Sequence, residues 1–251
     1  MKYFQIIFSP TGGTEKAANA ITQCWGQVET IDLSIANKDF SAITFDSDSM
    51  VLIAMPCFGG VAPQLALERL AMINGGSALC AIAVVYGNRA YDNTLVQMED
   101  YAKGAGFKVI AAISAVAEHS IIRRFAAGRP CSDDCRQLSD FGSQILDKVN
   151  SKKLTEPTIP GSRPYKSSEA GMIPKADSTC NSCGVCVQSC PAGAISADNP
   201  RTSDKKKCIS CMRCVSICPL HARNVSSVMT ALAAAAIGKA CSVEKANELF
   251  L

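Results

Sequence analysis

Eight cysteines of this 251-residue chain crowd into residues 180–218, and their spacing repeats. Cys180, Cys183, Cys186 and Cys190, the last followed by Pro191, are echoed 28 residues later by Cys208, Cys211, Cys214 and Cys218, followed by Pro219. Ser182 aligns with Ser210 and Val187 with Val215, so the segment reads as an internal duplication. Three thiolates at every third position of a tight loop wrap one face of a cubane cluster. The fourth, at a helix start and followed by proline, points toward the other cluster. The competing metal is zinc, whose knuckles use C-x2-C pairs. Zinc has no use for a third cysteine in the same run, still less for C-x3-C-P in both copies. The spacing points to two [4Fe–4S] clusters.

A second group able to do chemistry is the loop Ser9-Pro10-Thr11-Gly12-Gly13-Thr14, which follows an apolar run at residues 3–8. A strand ending in a hydroxyl- and glycine-rich turn that opens a helix can cradle a phosphate. Backbone amides and the helix N-terminus meet the anion there. The loop lacks the lysine of a P-loop and the G-x-G-x-x-G of a dinucleotide site. The plainer alternative is a capped turn with Thr14 at the helix start.

Both groups need elements to position them. Residues 3–8, 28–33, 50–56, 79–86 and 109–116 read as strands. The apolar runs at 51–55 and 81–85 have the continuity of buried parallel strands. Helical patterns fall between, at 14–25, 63–73, 93–105 and 132–150. The last opens with a Ser132 cap and with Asp133 and Asp134 in its first turn. This alternation predicts a doubly wound α/β sheet with right-handed crossovers on both faces. Ligands of such sheets bind beyond the carboxyl ends of the strands.

Cysteine and charge divide the chain. The other six cysteines (Cys24, Cys57, Cys80, Cys131, Cys135 and Cys241) are scattered. Residues 1–150 carry 12 basic and 15 acidic side chains, and residues 175–225 carry 7 and 3. Residues 151–174, with Pro157, Pro160, Pro164 and Pro174, read as a surface linker. The expected divisions are a first domain at 1–150, a linker at 151–174, a second domain at 175–225 and a terminal helix at 226–251. The helix is expected from the alanine-rich run at 230–236. A net charge of +3 is too small a surplus to argue for nucleic acid or an anionic membrane. No apolar run reaches the ~18 residues of a membrane span, and none resembles a signal peptide. A cytoplasmic chain is expected, with no nucleic-acid or membrane partner. In that reducing compartment 14 cysteines read as metal or redox chemistry rather than disulfides.

The first loop resembles the (S/T)-x-T-G-x-T loop with which flavodoxins hold the phosphate of FMN. Pro56-Cys57-Phe58-Gly59-Gly60, after the third strand, falls where a flavodoxin places its first isoalloxazine-contacting loop. Gly87-Asn88-Arg89-Ala90-Tyr91-Asp92, after the fourth, matches the second. The resemblance covers about residues 1–150 and implies a five-stranded parallel sheet of order 2-1-3-4-5. It also implies FMN held by Ser9, Thr11, Gly12, Gly13 and Thr14 and by Pro56, Cys57, Phe58, Gly59, Gly60, Gly87, Asn88, Arg89, Tyr91 and Asp92. Phe58 and Tyr91 could flank a flat ring, and each alone is equally a loop-edge packing residue. Cys57 departs from the family pattern and reads more simply as a small filler than as a reactive thiol.

The duplicated cysteine segment resembles bacterial two-cluster ferredoxins, which implies a small α+β domain. Cluster one then takes Cys180, Cys183, Cys186 and Cys218, and cluster two takes Cys208, Cys211, Cys214 and Cys190. Ala192, Gly193, Ala194 and Ile195 would shield a cluster from water. The second copy departs from this with Leu220-His221-Ala222-Arg223, where His221 reads as a surface residue tuning local charge. Joined, the halves resemble the ferredoxin–flavodoxin fusions of anaerobic bacteria and archaea, sometimes called ferrodoxins. That resemblance implies an electron carrier of anaerobic metabolism. It would pass low-potential electrons between two [4Fe–4S] clusters and FMN and exchange them with redox partner proteins. No catalytic residue is implied, and a homodimer stays open. The alternatives are a flavin-dependent reductase of a small acceptor fed by its own clusters, and a non-catalytic redox sensor. The lack of a dinucleotide fingerprint argues against direct NAD(P)H oxidation.

Four features keep more than one reading. The loop from Glu118 to Phe125 could border the flavin, dock a partner or be solvated. His119 within it could donate a proton. Cys131 and Cys135 could pair or bind metal, although two ordinary thiols is the plainer reading. Lys205, Lys206 and Lys207 read as a solvated turn or as an offset to the negative charge of a cluster.

Overall fold

The computed structural model describes residues 1–165 and 171–251. The chain alternates β1 (Lys2–Ile7), α1 (Gly13–Thr22), β2 (Val28–Asp32), β3 (Ser49–Pro56), α2 (Gln64–Ala71), β4 (Leu79–Tyr86), α3 (Thr94–Gly104), β5 (Lys108–Val116) and α4 (Ser132–Asn150). The strands pair in parallel in the order β2-β1-β3-β4-β5, the flavodoxin-like arrangement. In β3 and β4 nearly every side chain is buried, because helices cover both faces. Alternation along β3 divides the two cores. Val51, Ile53 and Met55 face Leu67 and Leu70 of α2 and Met98 of α3. Met50, Leu52 and Ala54 face Ile21 of α1 and Leu138 and Ile145 of α4. Helices α1 and α4 pack so closely that a Cβ on Gly142 would stand 1.8 Å from the Ile21 carbonyl oxygen. The same turn of α4 accepts a hydrogen bond from Trp25 Nε1 at 3.2 Å.

Helix α4 is capped differently from the expectation at Ser132. Cys131 is the N-cap residue, and its amide donates to Asp134 Oδ2 at 2.8 Å. A carboxylate three residues into the helix can reach back to that amide, and Ser132 stands one position into the helix as its first residue.

After α4 the chain does not run free. Lys148 Nζ ties Thr155 to the body through its carbonyl oxygen, and Ile159 packs on the sheet core. Arg163 forms ion pairs with Glu99 and Asp100 of α3. This part of the expected linker is a strap laid across α3; residues 166–170 of it lie outside the described residues.

The cysteine-rich segment holds β6 (Lys175–Ala176), α5 (Val185–Gln188), α6 (Arg213–Ser216) and β7 (Arg223–Asn224), with β6 and β7 antiparallel. The duplication is visible in the backbone. Positive φ recurs at Ser182 and Ser210 (59° and 54°), at Gly184 and Met212 (78° and 62°), and at Gly193 and His221 (57° and 50°). The tail is only partly the expected helix. Helix α7 (Ser227–Cys241) is followed by β8 (Glu248–Phe250), which adds to β5 as an antiparallel sixth strand. The free edge of β5 is thereby covered, which removes an unpaired row of backbone groups. Among the described residues no helix is long and apolar enough to cross a membrane.

Candidate functional site

Four strand-end loops converge on one cavity. Pro10, Thr11, Gly13 and Thr14 come from the loop after β1, and Pro56, Cys57 and Phe58 from the loop after β3. Tyr86 and Gly87 close the end of β4, and Glu118, His119 and Ser120 follow β5.

The first loop is built to leave amides unused. Ser9 Oγ accepts from the Glu15 amide at 2.9 Å, and the Gly12 carbonyl accepts from the Lys16 amide. Gly12 is the N-cap of α1 in the left-handed region (φ 89°), a conformation other residues adopt only under strain. Among the described residues no protein acceptor takes the amides of Thr11, Gly12, Gly13 or Thr14. Consecutive free amides at a helix N-terminus suit a phosphate dianion, so the residues present fit the phosphate end of FMN.

The loop after β3 matches the expectation only in part. Phe58 lines the cavity. Cys57 Sγ donates to the Ala90 carbonyl at 3.6 Å, and burial pushes its thiol pKa up, which agrees with a filler. Neither Gly59 nor Gly60 lines the cavity. A Cβ on Gly60 would meet Asp92 Oδ2 at 2.4 Å, and the Gly60 carbonyl accepts from the Asn93 amide. Gly60 lets the loops after β3 and β4 touch.

The largest correction falls on the loop after β4. Asn88 is buried, and its Nδ2 donates to the carbonyls of Cys241 and Val243, both at 2.9 Å. Arg89 pairs with Asp92. Tyr91 donates its hydroxyl to Glu248 at 3.1 Å. Asn88, Arg89, Tyr91 and Asp92 therefore engage the C-terminal tail or one another, and of this loop only Gly87 reaches the cavity. Tyr91, Asp92, Lys245 and Glu248 line a second cleft, which shares Tyr86 with the first. For Asn88 and Tyr91 the cause is the tail after α7, including β8, which its alanine-rich composition gave no sign of.

In their place stands the loop after β5. His119 Nδ1 accepts from the amides of Ile121 (3.2 Å) and Ile122 (3.1 Å), which leaves the ring proton on Nε2. Burial lowers the pKa of this ring. Gly87 is required beneath it, because a Cβ there would stand 2.7 Å from the imidazole. The site thus offers a neutral N–H donor.

The eight clustered cysteines surround two further cavities in crossed sets. Cys180, Cys183 and Cys186 share one with Cys218. Cys208, Cys211 and Cys214 share the other with Cys190. Pro191, Ala194, Ile195 and Met212 give the second an apolar lining, and the Ala194 amide donates to Cys190 Sγ at 3.3 Å. Burial pushes the thiols of Cys208 and Cys214 up, and that of Cys211 up to about 12. Among the described residues no three such side chains converge on a single metal-ion position; the thiols stand around cavities instead. Four thiols around an apolar space suit a polynuclear cluster, so this donor set fits. His221 is exposed and lies outside both cavities, as expected. Cys131 is exposed at the start of α4, apart from both sets.

Cys211 belongs to two cavities at once, lining that of its own set and that of the strand-end loops. The spacing of the cysteines could not announce this. The contacts that enforce it are Arg69 Nη2 to the Pro191 carbonyl (2.7 Å) and Arg213 Nη1 to Ser34 Oγ (2.6 Å). Ile209 adds apolar contact with the sheet core.

Residues 172–219 match the 4Fe-4S dicluster domain family. No curated protein sequence matches the chain. Solved structures with some likeness include a flavodoxin from the domain Archaea (14% identity, 60% of this chain and 99% of that one, TM-score 0.40). Flavodoxin 2 of Bacillus cereus is similar at 13% identity, 59% and 99% coverage and TM-score 0.44. The rubredoxin oxygen:oxidoreductase of Desulfovibrio gigas is similar at 13% identity and TM-score 0.43 over 61% of this chain, which spans 37% of that protein. One chain therefore joins a parallel sheet of order 2-1-3-4-5 to a segment that matches a 4Fe-4S dicluster family.

Proposed function

We propose that the chain is an electron carrier of anaerobic metabolism, with FMN in the strand-end cavity and a [4Fe–4S] cluster in each cysteine-lined cavity. Residues 1–150 hold the flavin, residues 175–225 hold the clusters, and redox proteins supply and receive the electrons. When bound, FMN stores one or two electrons and the clusters carry them singly. The amides of Thr11 to Thr14 bind the phosphate, Phe58 borders the ring, and His119 offers Nε2–H as a neutral donor. Cys180, Cys183, Cys186 and Cys218 ligate one cluster, and Cys190, Cys208, Cys211 and Cys214 the other.

One observation carries this reading: Cys211 lines both its own cavity and the flavin-fitting one. A ligand shared between two walls makes the second cluster the flavin's neighbour and the first cluster the outer terminal. The test is anaerobic rapid mixing of the loaded protein with a one-electron chemical reductant. Cluster bleaching should precede flavin bleaching, at a flavin rate independent of protein concentration. A flavin rate proportional to concentration would mean exchange between molecules and would sink the proposal.

His119 favours a second reading, a flavin-dependent reductase of a small acceptor. A half-buried, neutral donor on the cavity wall is more than a phosphate cradle needs. That reading requires saturable, salt-insensitive reduction of one small molecule that collapses in His119→Ala.

A further inference from the structure

The two halves of the cysteine segment put different residues at one equivalent position. Ile195 follows Cys190 by the same interval as Arg223 follows Cys218. Both are buried, Ile195 at 5% exposure and Arg223 at 1%. The first copy packs an aliphatic side chain where the second encloses a full positive charge.

A charge in a protein interior is costly unless opposite charge answers it. Among the described residues no carboxylate pairs with Arg223. Its guanidinium donates instead to the carbonyls of Pro200 and Pro174 and to Ser203 Oγ, all neutral acceptors. Nε is buried without a partner. The remaining neighbour of Nη1 is Cys186 Sγ at 3.7 Å. Arg223 lines the cavity of Cys180, Cys183, Cys186 and Cys218, and two of its hydrogen-bond partners, Pro174 and Ser203, line the cavity of the other set. The guanidinium therefore lies against one crossed set and within electrostatic reach of the other.

We propose that Arg223 is a tuning residue whose counter-charge is the pair of thiolate-ligated clusters, and that it holds both at higher reduction potentials than an apolar residue would. The inference rests on the reading that the two sets hold [4Fe–4S] clusters. Adding an electron makes a cluster more negative, so a fixed cation and an N–H···S contact both favour the reduced form. The effect is larger for the cluster on Cys186, which Arg223 touches, so one arginine also sets the difference between the two potentials. Ile195, at the equivalent place near the other set, supplies no such bias.

The test compares the full chain with Arg223→Gln, neutral but still a hydrogen-bond donor, and with Arg223→Lys, which keeps the charge. Iron content is measured first, then anaerobic redox titrations followed by paramagnetic resonance. In Arg223→Gln both potentials should move negative, more for the cluster on Cys186. At the wild-type midpoint the reduced-to-oxidised ratio of that cluster should fall at least roughly tenfold. Arg223→Lys should stay near wild type. Unchanged potentials in Arg223→Gln with full iron, or equal shifts in both variants, would overturn the inference. If Arg223→Gln loses its iron, Arg223→Lys decides: full iron supports a charge requirement, and loss in both assigns Arg223 a scaffold role and overturns it. Wild-type protein without two clusters would instead overturn the underlying reading, a result separable from all of these.

Discussion

Cys211 and Gly13 line a single cavity, although one belongs to the cysteine segment and the other to the first loop of the parallel sheet. Gly13 stands at the anion-attracting end of α1, and Cys211 is buried between that loop and its own set of thiols. Residues 1–150 and 175–225 carry opposite net charge, and this contact is where they share one space. On the proposed function, the set that contains Cys211 faces the flavin and the other set faces redox partners.

The phosphate cradle can be tested by charge. A Cβ on Gly13 would meet Ala117 Cβ at 3.5 Å, an ordinary contact, so Gly13→Ala should keep FMN. Gly13→Asp adds a carboxylate against the positive end of α1 and should lose FMN while iron stays near wild type. Flavin and iron assays on the purified variants check this. Loss of both cofactors together would mean that the two sites do not form independently.

The crossed cysteine sets predict which substitutions resemble each other. Cys218→Ser should damage the same cluster as Cys180→Ser, because both line one cavity. Paramagnetic resonance of the reduced variants reads this directly. If Cys218→Ser instead matched Cys208→Ser, each motif would close on itself.

Much of this was legible in the sequence, for identifiable reasons. Buried parallel strands declare themselves as apolar runs, and β3 and β4 fell where Met50–Pro56 and Leu79–Tyr86 suggested. Spacing within a tight loop is local, so the two cysteine triplets were readable in the sequence, whereas the crossed fourth member of each set came from the resemblance. The loop after β4 was not readable, because its side chains answer the tail. Asn88 and Tyr91 sit at the expected positions, but the Cys241 and Val243 carbonyls and the Lys245 amide take the Asn88 side chain, and Glu248 of a three-residue strand takes the Tyr91 hydroxyl. Short strands added to a sheet edge leave almost no periodic signal. Nor did local sequence show that Arg223 is buried, since arginine is ordinarily a surface residue.

Besides the Asn88 contacts and the β8 pairing, one buried carboxylate helps to hold the tail. Asp134 pairs with Arg129, which donates to the Lys245 carbonyl, and Asp134 also accepts from Asn247 Nδ2 at 3.0 Å. Burial pushes the Asp134 carboxyl up, but Arg129, the Cys131 amide and Asn247 outweigh it and hold the carboxyl well below its ordinary value of 3.8. The folded state therefore binds this proton less readily than the unfolded chain. The stabilisation is complete above pH 3.8 and is lost as pH falls from there toward the depressed folded value. Asp134→Asn should cost about 3 kcal/mol at neutral pH, where it leaves Arg129 partly buried and unpaired. It should also flatten the acid dependence. Urea midpoints at neutral and acid pH check both; an unchanged midpoint would remove Asp134 as the anchor of the tail.

Electron exchange with a partner should depend on charge. Lys205, Lys206 and Lys207 are exposed beside the inner set, whereas Arg123 is paired with Glu118 and Arg124 lies over Phe125. Transfer to an acidic redox protein should slow with rising salt, since exposed charges are screened beyond ~8 Å at 0.15 M ionic strength. Neutralising the three lysines should weaken that dependence more than neutralising the two arginines. Salt-insensitive transfer would count against protein encounter as the slow step.

The central claim is that one chain holds both kinds of centre, and anaerobic purification followed by metal, sulfide and flavin analysis tests it most directly. About eight irons, a matching amount of acid-labile sulfide and one FMN per chain are predicted. Zinc in place of iron, or iron with no flavin at any stage of purification, would contradict it.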